Sequence, residues 1–195
     1  MMIVAVDPSL RGTGVAVWRS RPETARGRAL LFTVDGGKLG RDTNGWARAV
    51  RHQRVLAAVW PYVTGRRALA VVESGFHAAE RSPDTTAQLA GLRAVLEYGL
   101  MVRRVPIAQL HNTKVKQYAT GHGGASKTMM VDTAKGELVD LGDPEDDNQA
   151  DALWLLAMAL HHYQLRTPTP GPHTTLRAAL LDGLTWPPLP DGGPA

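Results

Sequence analysis

The sequence predicts an α/β fold: a mixed five-stranded sheet, an antiparallel meander followed by parallel strands, flanked by helices. Three observations predict it. Three short apolar runs follow one another near the N-terminus with no helical pattern between them. Two further apolar runs come later, each preceded by a helical pattern. Between runs stand turn signals such as Asp35-Gly36-Gly37. Strands joined by short turns pair as a meander, and strands separated by helices pair through crossovers.

Taken in order, Ile3 to Val6 is an apolar run ending at Asp7, which reads as a buried strand. Gly12 and Gly14 open a second strand over Val15 to Trp18, and a third covers Ala29 to Val34. Asn44 is a candidate cap for a helix to about Val63, with Trp46, Val50, Leu56 and Val59 among its apolar positions. Ala68 to Val72 is a short buried strand ending at Glu73. Thr85 to about Leu100 reads as a helix. Its Leu89, Leu92, Leu96 and Leu100 form a stripe that serves either core packing or a dimer interface. Val102 to Ile107 is the fifth expected strand. Helices over Asn112 to Ala119 and Ser126 to Leu138 follow, joined by the loop Gly121-His122-Gly123-Gly124. Asp143-Pro144 predicts the start of the last strong helix, Asp as cap and Pro at its first position, running to about Tyr163. Residues 1–166 are therefore expected to form one domain. Residues 167–195 hold seven of the chain's 13 prolines and are expected to be a weakly ordered tail, with a short helix over Leu176 to Leu184.

Composition narrows the function. The 195 residues contain no cysteine, which excludes disulfides, cysteine-ligated zinc and a thiol nucleophile. No apolar run reaches the length of a membrane span, and the N-terminus lacks the basic region and cleavage site of a signal peptide. A cytoplasmic protein with no membrane partner is expected. The net charge of +4 is only mildly basic, but it is unevenly placed. Arg103, Arg104, Lys114, Lys116, Lys127 and Lys135 face a single acid, Asp132, in their segment. The next segment, 136–151, has seven acids and no Lys or Arg. A basic stretch that holds phosphates beside an acidic one that holds metal suits a DNA nuclease. Two solvated charge runs are the plainer reading of the same pattern.

The acids at the ends of apolar runs say more. Asp7 and Glu73 each end a strand, and Asp151 lies between Ala150 and Ala152 at the head of a run that stays apolar through Leu160. A carboxylate so placed is costly unless it is paired or binds a metal. Three such groups from distant segments, brought to one sheet end, repel one another unless a divalent cation neutralises them. Oxygen ligands suit Mg²⁺, with Mn²⁺ as a substitute. Asp147 and Asn148 lie four and three residues before Asp151, on the same helix face, and either can add an oxygen. Two such ions about 4 Å apart would activate water and stabilise a leaving 3′-oxygen. Each residue also has a bland reading. Asp7 can be a turn former before Pro8, Glu73 can pair with an arginine, and Asp147 can be a first-turn acid favoured by the helix dipole.

These residues resemble the RuvC family of Holliday-junction resolvases. The stretch Ile-Val-Ala-Val-Asp-Pro-Ser-Leu-Arg-Gly-Thr-Gly-Val-Ala-Val (3–17) is similar to its strand, D-P-G-x-x-x-x-G, strand motif. Val-Val-Glu-Ser-Gly-Phe (71–76) resembles its glutamate followed by an aromatic. Val-Lys-Gln-Tyr-Ala-Thr-Gly-His-Gly-Gly-Ala-Ser-Lys (115–127) and Asn-Gln-Ala-Asp-Ala-Leu (148–153) resemble its glycine–lysine loop and closing D-x-A-D-A-L. The motifs stand in the family's order over about residues 3 to 162. The resemblance implies an RNase H-like fold and a homodimer that makes paired, Mg²⁺-dependent nicks in four-way DNA. It implies branched DNA as the partner, with a junction translocase as a further candidate. It implies Asp7, Glu73 and Asp151 as metal ligands, Phe76 as an aromatic that stacks on or wedges into junction bases, and Lys116 and Lys127 at the scissile phosphates, with Lys114 beside them in the basic segment. Two positions depart: Ser9 replaces the usual glycine, and Asn148 stands where the family often has Asp. The alternatives are another branched-DNA or flap nuclease of the same fold, or a junction-binding protein without activity. A phosphotransferase sharing the first motif would need a second D-x-G-x-T phosphate loop, which the sequence lacks.

Overall fold

The computed structural model describes residues 1–20, 27–37, 45–63, 67–75, 82–166 and 173–190. Five strands form one sheet: β1 (Met2–Asp7), β2 (Gly12–Arg19), β3 (Leu30–Asp35), β4 (Ala68–Ser74) and β5 (Ile107–His111). Their order is β3-β2-β1-β4-β5, with β1–β2 and β2–β3 antiparallel and β1–β4 and β4–β5 parallel. This is the mixed sheet expected from the sequence. The helices are α1 (Gly45–Val59), α2 (Pro83–Val102), α3 (Asn112–Thr120), α4 (Lys127–Glu137), α5 (Asp147–His162) and α6 (Thr174–Asp182). Asn44, the expected cap of α1, lies outside the described residues.

Strand alternation sorts the core into two layers. Ile3, Ala5, Ala16, Trp18, Leu69 and Val71 point to one face, under α3, α4, α5 and the end of α6. Val4, Val6, Val15, Val17, Ala70 and Val72 point to the other, under the ends of α1 and α2. Helix α5 is buried from Ala150 through Leu160 except for the partly exposed Asp151, because it lies between the sheet and the other helices. The leucine stripe of α2 serves packing: Leu89, Leu92, Leu96 and Leu100 are all buried within the single chain.

Three elements differ from expectation. The fifth strand is Ile107–His111 rather than Val102 to Ile107. Helix α2 continues through Val102, Arg104 takes a positive φ of 57°, and Pro106 has no N–H to pair, so the sheet begins only after them. Helix α5 starts at Asp147 rather than at Asp143-Pro144. Asp146 wins as cap because its side chain accepts from Gln149 N at 2.8 Å while Gln149 Oε1 accepts from Glu145 N at 3.1 Å, a reciprocal lock. Residues 173–190, inside the stretch expected to be weakly ordered, carry α6 and pack on the domain. Leu180 and Leu181 are buried, Trp186 stacks on His162 at 4.5 Å, and the Tyr163 hydroxyl donates to the Pro187 carbonyl. The apolar and aromatic residues between its prolines supply that contact.

Candidate active site

The sheet sets the site. Asp7 shares the phase of Ile3 and Ala5, and Glu73 that of Leu69 and Val71, so both acids face α5. They stand one step beyond the last parallel pair, Val6 with Val72, at the same end of neighbouring strands. Asp7 lies opposite Gly14 of β2. Glycine is required there because the start of α5 lies directly on β2: a Cβ at Gly14 would sit 1.9 Å from the Asn148 carbonyl oxygen. That close approach places the first turns of α5 over the strand ends, and Asp151 becomes the third acid of the group. Gly75, just past Glu73, has a φ of 92° with the His111 ring packed against it, so no side chain fits.

The electrostatics follow from this crowding. Asp7 is buried, and burial first, then the charges of Glu73 and Asp151, hold its carboxyl well above the usual carboxylate range. Asp7 and Glu73 share a hydrogen bond, and Arg93 opposes the upward push. Asp151 is pushed up to about 7 by burial and by Glu73 and Asp147, against the pull of Lys116 and Lys127. Glu73 is held from two other sides: Asn112 Nδ2 donates to Oε2 at 2.7 Å, and Arg93 Nη2 lies 3.6 Å from Oε1 while bonding the Gly75 carbonyl at 3.0 Å. Lys127 donates to Asp147. That bond, aided by the charges of Asp147, Asp151 and Asp7, raises the lysine's proton affinity.

The structure thus brings Asp7, Glu73, Asp151, Asp147, Lys116 and Lys127 into one electrostatic group. Asn148 starts α5 with them, its amide beside Gly12 of β2. Lys114 is exposed and about 200° around α3 from Lys116. Phe76 lies outside the described residues. Sequence reasoning missed Asn112 and Arg93, although an arginine partner for Glu73 was an open alternative; the pairing and the carboxylate group coexist. Nothing local marks either residue, since both reach Glu73 from elements far along the chain. Part of the acidic run of 136–151 is engaged elsewhere. Asp146 caps α5 and accepts from Thr33 at 2.6 Å, and Glu137 pairs with Arg177 at 2.7 Å.

The donor set fits a hard divalent cation. All candidate ligands are oxygens, and burial with mutual repulsion is the condition that a bound cation relieves. Oδ1 of Asp151 is buried with no hydrogen-bond partner among the described residues. Among those residues no three His, Asp or Glu side chains stand as a closed ligand group.

No protein-family model matches the chain. It is 31% identical over 155 residues to the crossover junction endodeoxyribonuclease RuvC of Synechococcus sp. (strain WH7803), spanning 78% of this chain and 94% of that protein. Among solved structures it resembles T. thermophilus RuvC in complex with a Holliday junction substrate, at a TM-score of 0.61 and 21% identity over 87% of this chain and 99% of that one. It also resembles the yeast mitochondrial Holliday junction resolvase, at a TM-score of 0.54 and 8% identity over 92% and 80% of the two chains. At such identities the structural likeness establishes the fold, which is the RuvC type of RNase H-like sheet.

Proposed function

The chain belongs to the RuvC family of crossover junction endodeoxyribonucleases, and from that premise we propose that it is a metal-dependent endonuclease nicking four-way DNA junctions. The observation that carries the reading is the meeting of Asp7, Glu73 and Asp151 at one end of the sheet, with two lysines beside them. Asp7, Glu73 and Asp151 would hold Mg²⁺, or Mn²⁺ in its place, through carboxylate oxygens. Asn148 would add its carbonyl oxygen at the position where the family often has Asp, and Asp147 beside it would contribute charge; in the free protein Asp147 holds Lys127. A bound divalent ion supplies Lewis-acid charge for attack of water on the phosphodiester and for departure of the 3′-oxygen.

The chain's own groups do the rest. Asn112 at one carboxylate oxygen and Arg93 at the other fix the Glu73 side chain. Lys116 and Lys127 place positive charge where the scissile phosphate must lie, and Lys127 exchanges Asp147 for a phosphate oxygen when DNA enters. Lys114 holds the backbone farther along, and Phe76 meets the bases at the branch. Two nicks on opposing strands need two sites in fixed relation, which a twofold homodimer supplies. The α2 leucines are inside the monomer, so that dimer uses other surface. A junction translocase is a further partner of such an enzyme.

The reading is tested on a panel of end-labelled substrates: four-way, three-way and flap DNA and an RNA–DNA hybrid. Paired symmetric nicks on the four-way junction, exceeding cutting of the others, are expected. Preferential cutting of flaps or of the hybrid would assign the site to a different substrate.

A further inference from the structure

The first turn of helix α6 makes a contact that the nuclease reading does not use. Arg177 is 2% exposed, an unusual burial for a guanidinium. Its Nε donates to the Tyr118 carbonyl at 2.8 Å and its Nη2 to the Ala119 carbonyl at 3.1 Å. The same Nη2 lies 2.7 Å from Glu137 Oε2, and the guanidinium stands 5.1 Å and 5.3 Å from the Tyr118 and Trp154 rings. Tyr118 and Ala119 belong to the last turn of α3, whose carbonyls have no partner within the helix and which carries the negative end of the helix dipole. Glu137 ends α4. One buried cation therefore ties the C-terminal ends of α3 and α4 to α6 and to the side of α5.

Those helices bear the two lysines. Lys116 lies one turn before the clamped carbonyls, and Thr120 Oγ1 donates to the Lys116 carbonyl at 2.9 Å. The chain then turns at Gly121, with a φ of 77°, and a Cβ there would come within 2.6 Å of the His173 ring at the start of α6. Lys127 opens α4 at the other end of this loop, behind the Ser126 cap. A planar fork bonded to two successive carbonyls and one carboxylate fixes direction as well as distance, which a lysine cannot do.

We propose that Arg177 is a positioning residue of the nuclease: it clamps α3, the glycine loop and α4 so that Lys116 and Lys127 are held at the carboxylates. The proposal rests on the reading of those lysines as phosphate contacts.

The test uses the full chain with R177K, R177A, K116A, K127A and R177K/K127A. It measures single-turnover cleavage of a labelled four-way junction at saturating protein with Mg²⁺, junction affinity with EDTA, and amide exchange. R177K, which keeps the charge and loses the fork, is expected to remain folded and to bind the junction within about twofold of wild type. It should cut about tenfold or more slowly, since small misplacements of reacting groups are costly. Exchange should quicken over 118–127 and stay unchanged in β1 and β4. In the K127A background, R177K should slow cutting by clearly less than it does in the wild-type chain, because the part of the effect that runs through Lys127 is already gone and only the part through Lys116 remains. R177K that exchanges and cuts like wild type overturns the proposal, as does a rate loss that multiplies in full with that of K127A. If R177A does not fold, R177K decides. K116A and K127A both cutting at the wild-type rate would overturn the phosphate reading and the clamp's role together, a result distinct from either of those.

Discussion

Gly14→Ala is the sharpest perturbation, because it adds one methyl group at the contact that seats α5. The Cβ would lie 1.9 Å from the Asn148 carbonyl oxygen, 2.4 Å from its carbonyl carbon and 3.1 Å from its Cα, all backbone atoms that no rotamer change can remove. Ordinary contact begins at 3.4 Å, so the start of α5 must retreat by about 1.5 Å in a core packed too densely to yield freely. Overpacking of this kind costs about 2 kcal/mol, a fall of about 4–8 °C in Tm for a chain of this size. The larger effect falls on chemistry. Asp151 sits one turn from the clash, and displacement of a reacting group by about 1 Å can cost about a hundredfold in rate. Gly12→Ala is the control, since its Cβ would meet only side-chain atoms, Thr33 Cγ2 at 3.0 Å and Asn148 Nδ2 at 3.2 Å. Junction cleavage well below Tm, with circular dichroism to establish folding, should show G14A slowed about a hundredfold and G12A much less. G14A that cuts and melts like wild type would refute the reasoning, and so would G12A proving the more damaging of the two.

The remaining predictions concern the charges. Lys116→Ala and Lys127→Ala should each slow cutting and reduce the salt slope of junction binding by about one counterion; an unchanged slope with unchanged turnover would return them to plain surface. Asn148→Ala should cost more activity than Asp147→Ala, and Asn148→Asp should lower the Mg²⁺ concentration needed for cutting. The reverse order with no change in Mg²⁺ requirement would make Asp147 the ligand. The proton affinities of Asp7 and Asp151 are raised in the fold, Asp151 to about 7. Their contribution to stability is therefore full below about pH 4, near the unfolded carboxylate value; that of Asp151 is lost as pH rises through about 7, and that of Asp7 as pH rises through its own raised value. Mg²⁺ should accordingly raise Tm by several degrees at pH 8 and hardly at pH 5, checked by thermal melts with Asp151→Asn as the control. An equal shift at both pH values would separate the ion from these carboxylates.

The parts of the fold legible in the sequence were those fixed by period and burial. Asp7 and Glu73 could be read because a charge closing an apolar strand has few inexpensive explanations. Asp151 could be read because it interrupts a stretch that is otherwise apolar from Ala150 through Leu160. The β1 to β3 meander followed from short spacing. Where several local signals competed, the outcome depended on contacts from elsewhere. Asp143-Pro144 and Asp146 both qualify as helix starts, and the bond returned by Gln149 decides for Asp146. The segment after α2 has the composition of a strand, but Arg104 and Pro106 delay it to Ile107. Arg93, Asn112 and Arg177 act on groups 20, 39 and 59 residues away, as Arg93 does on Glu73, Asn112 on Glu73 and Arg177 on Tyr118. No local pattern announces such partners. The proline count of the C-terminal stretch concealed enough apolar and aromatic side chains, Leu180, Leu181 and Trp186 among them, to dock part of it.

The central claim is that Asp7, Glu73 and Asp151 form one metal-dependent cutting site on branched DNA. Its most direct measurement is incubation of the chain, and of Asp7→Asn, Glu73→Gln and Asp151→Asn, with a labelled four-way junction in Mg²⁺ and in EDTA, with junction binding measured in parallel. The wild-type chain should nick in Mg²⁺ and not in EDTA, and each variant should bind the junction and fail to cut it. Cutting that persists in EDTA, or near wild-type cutting by any one of the three variants, would contradict the account.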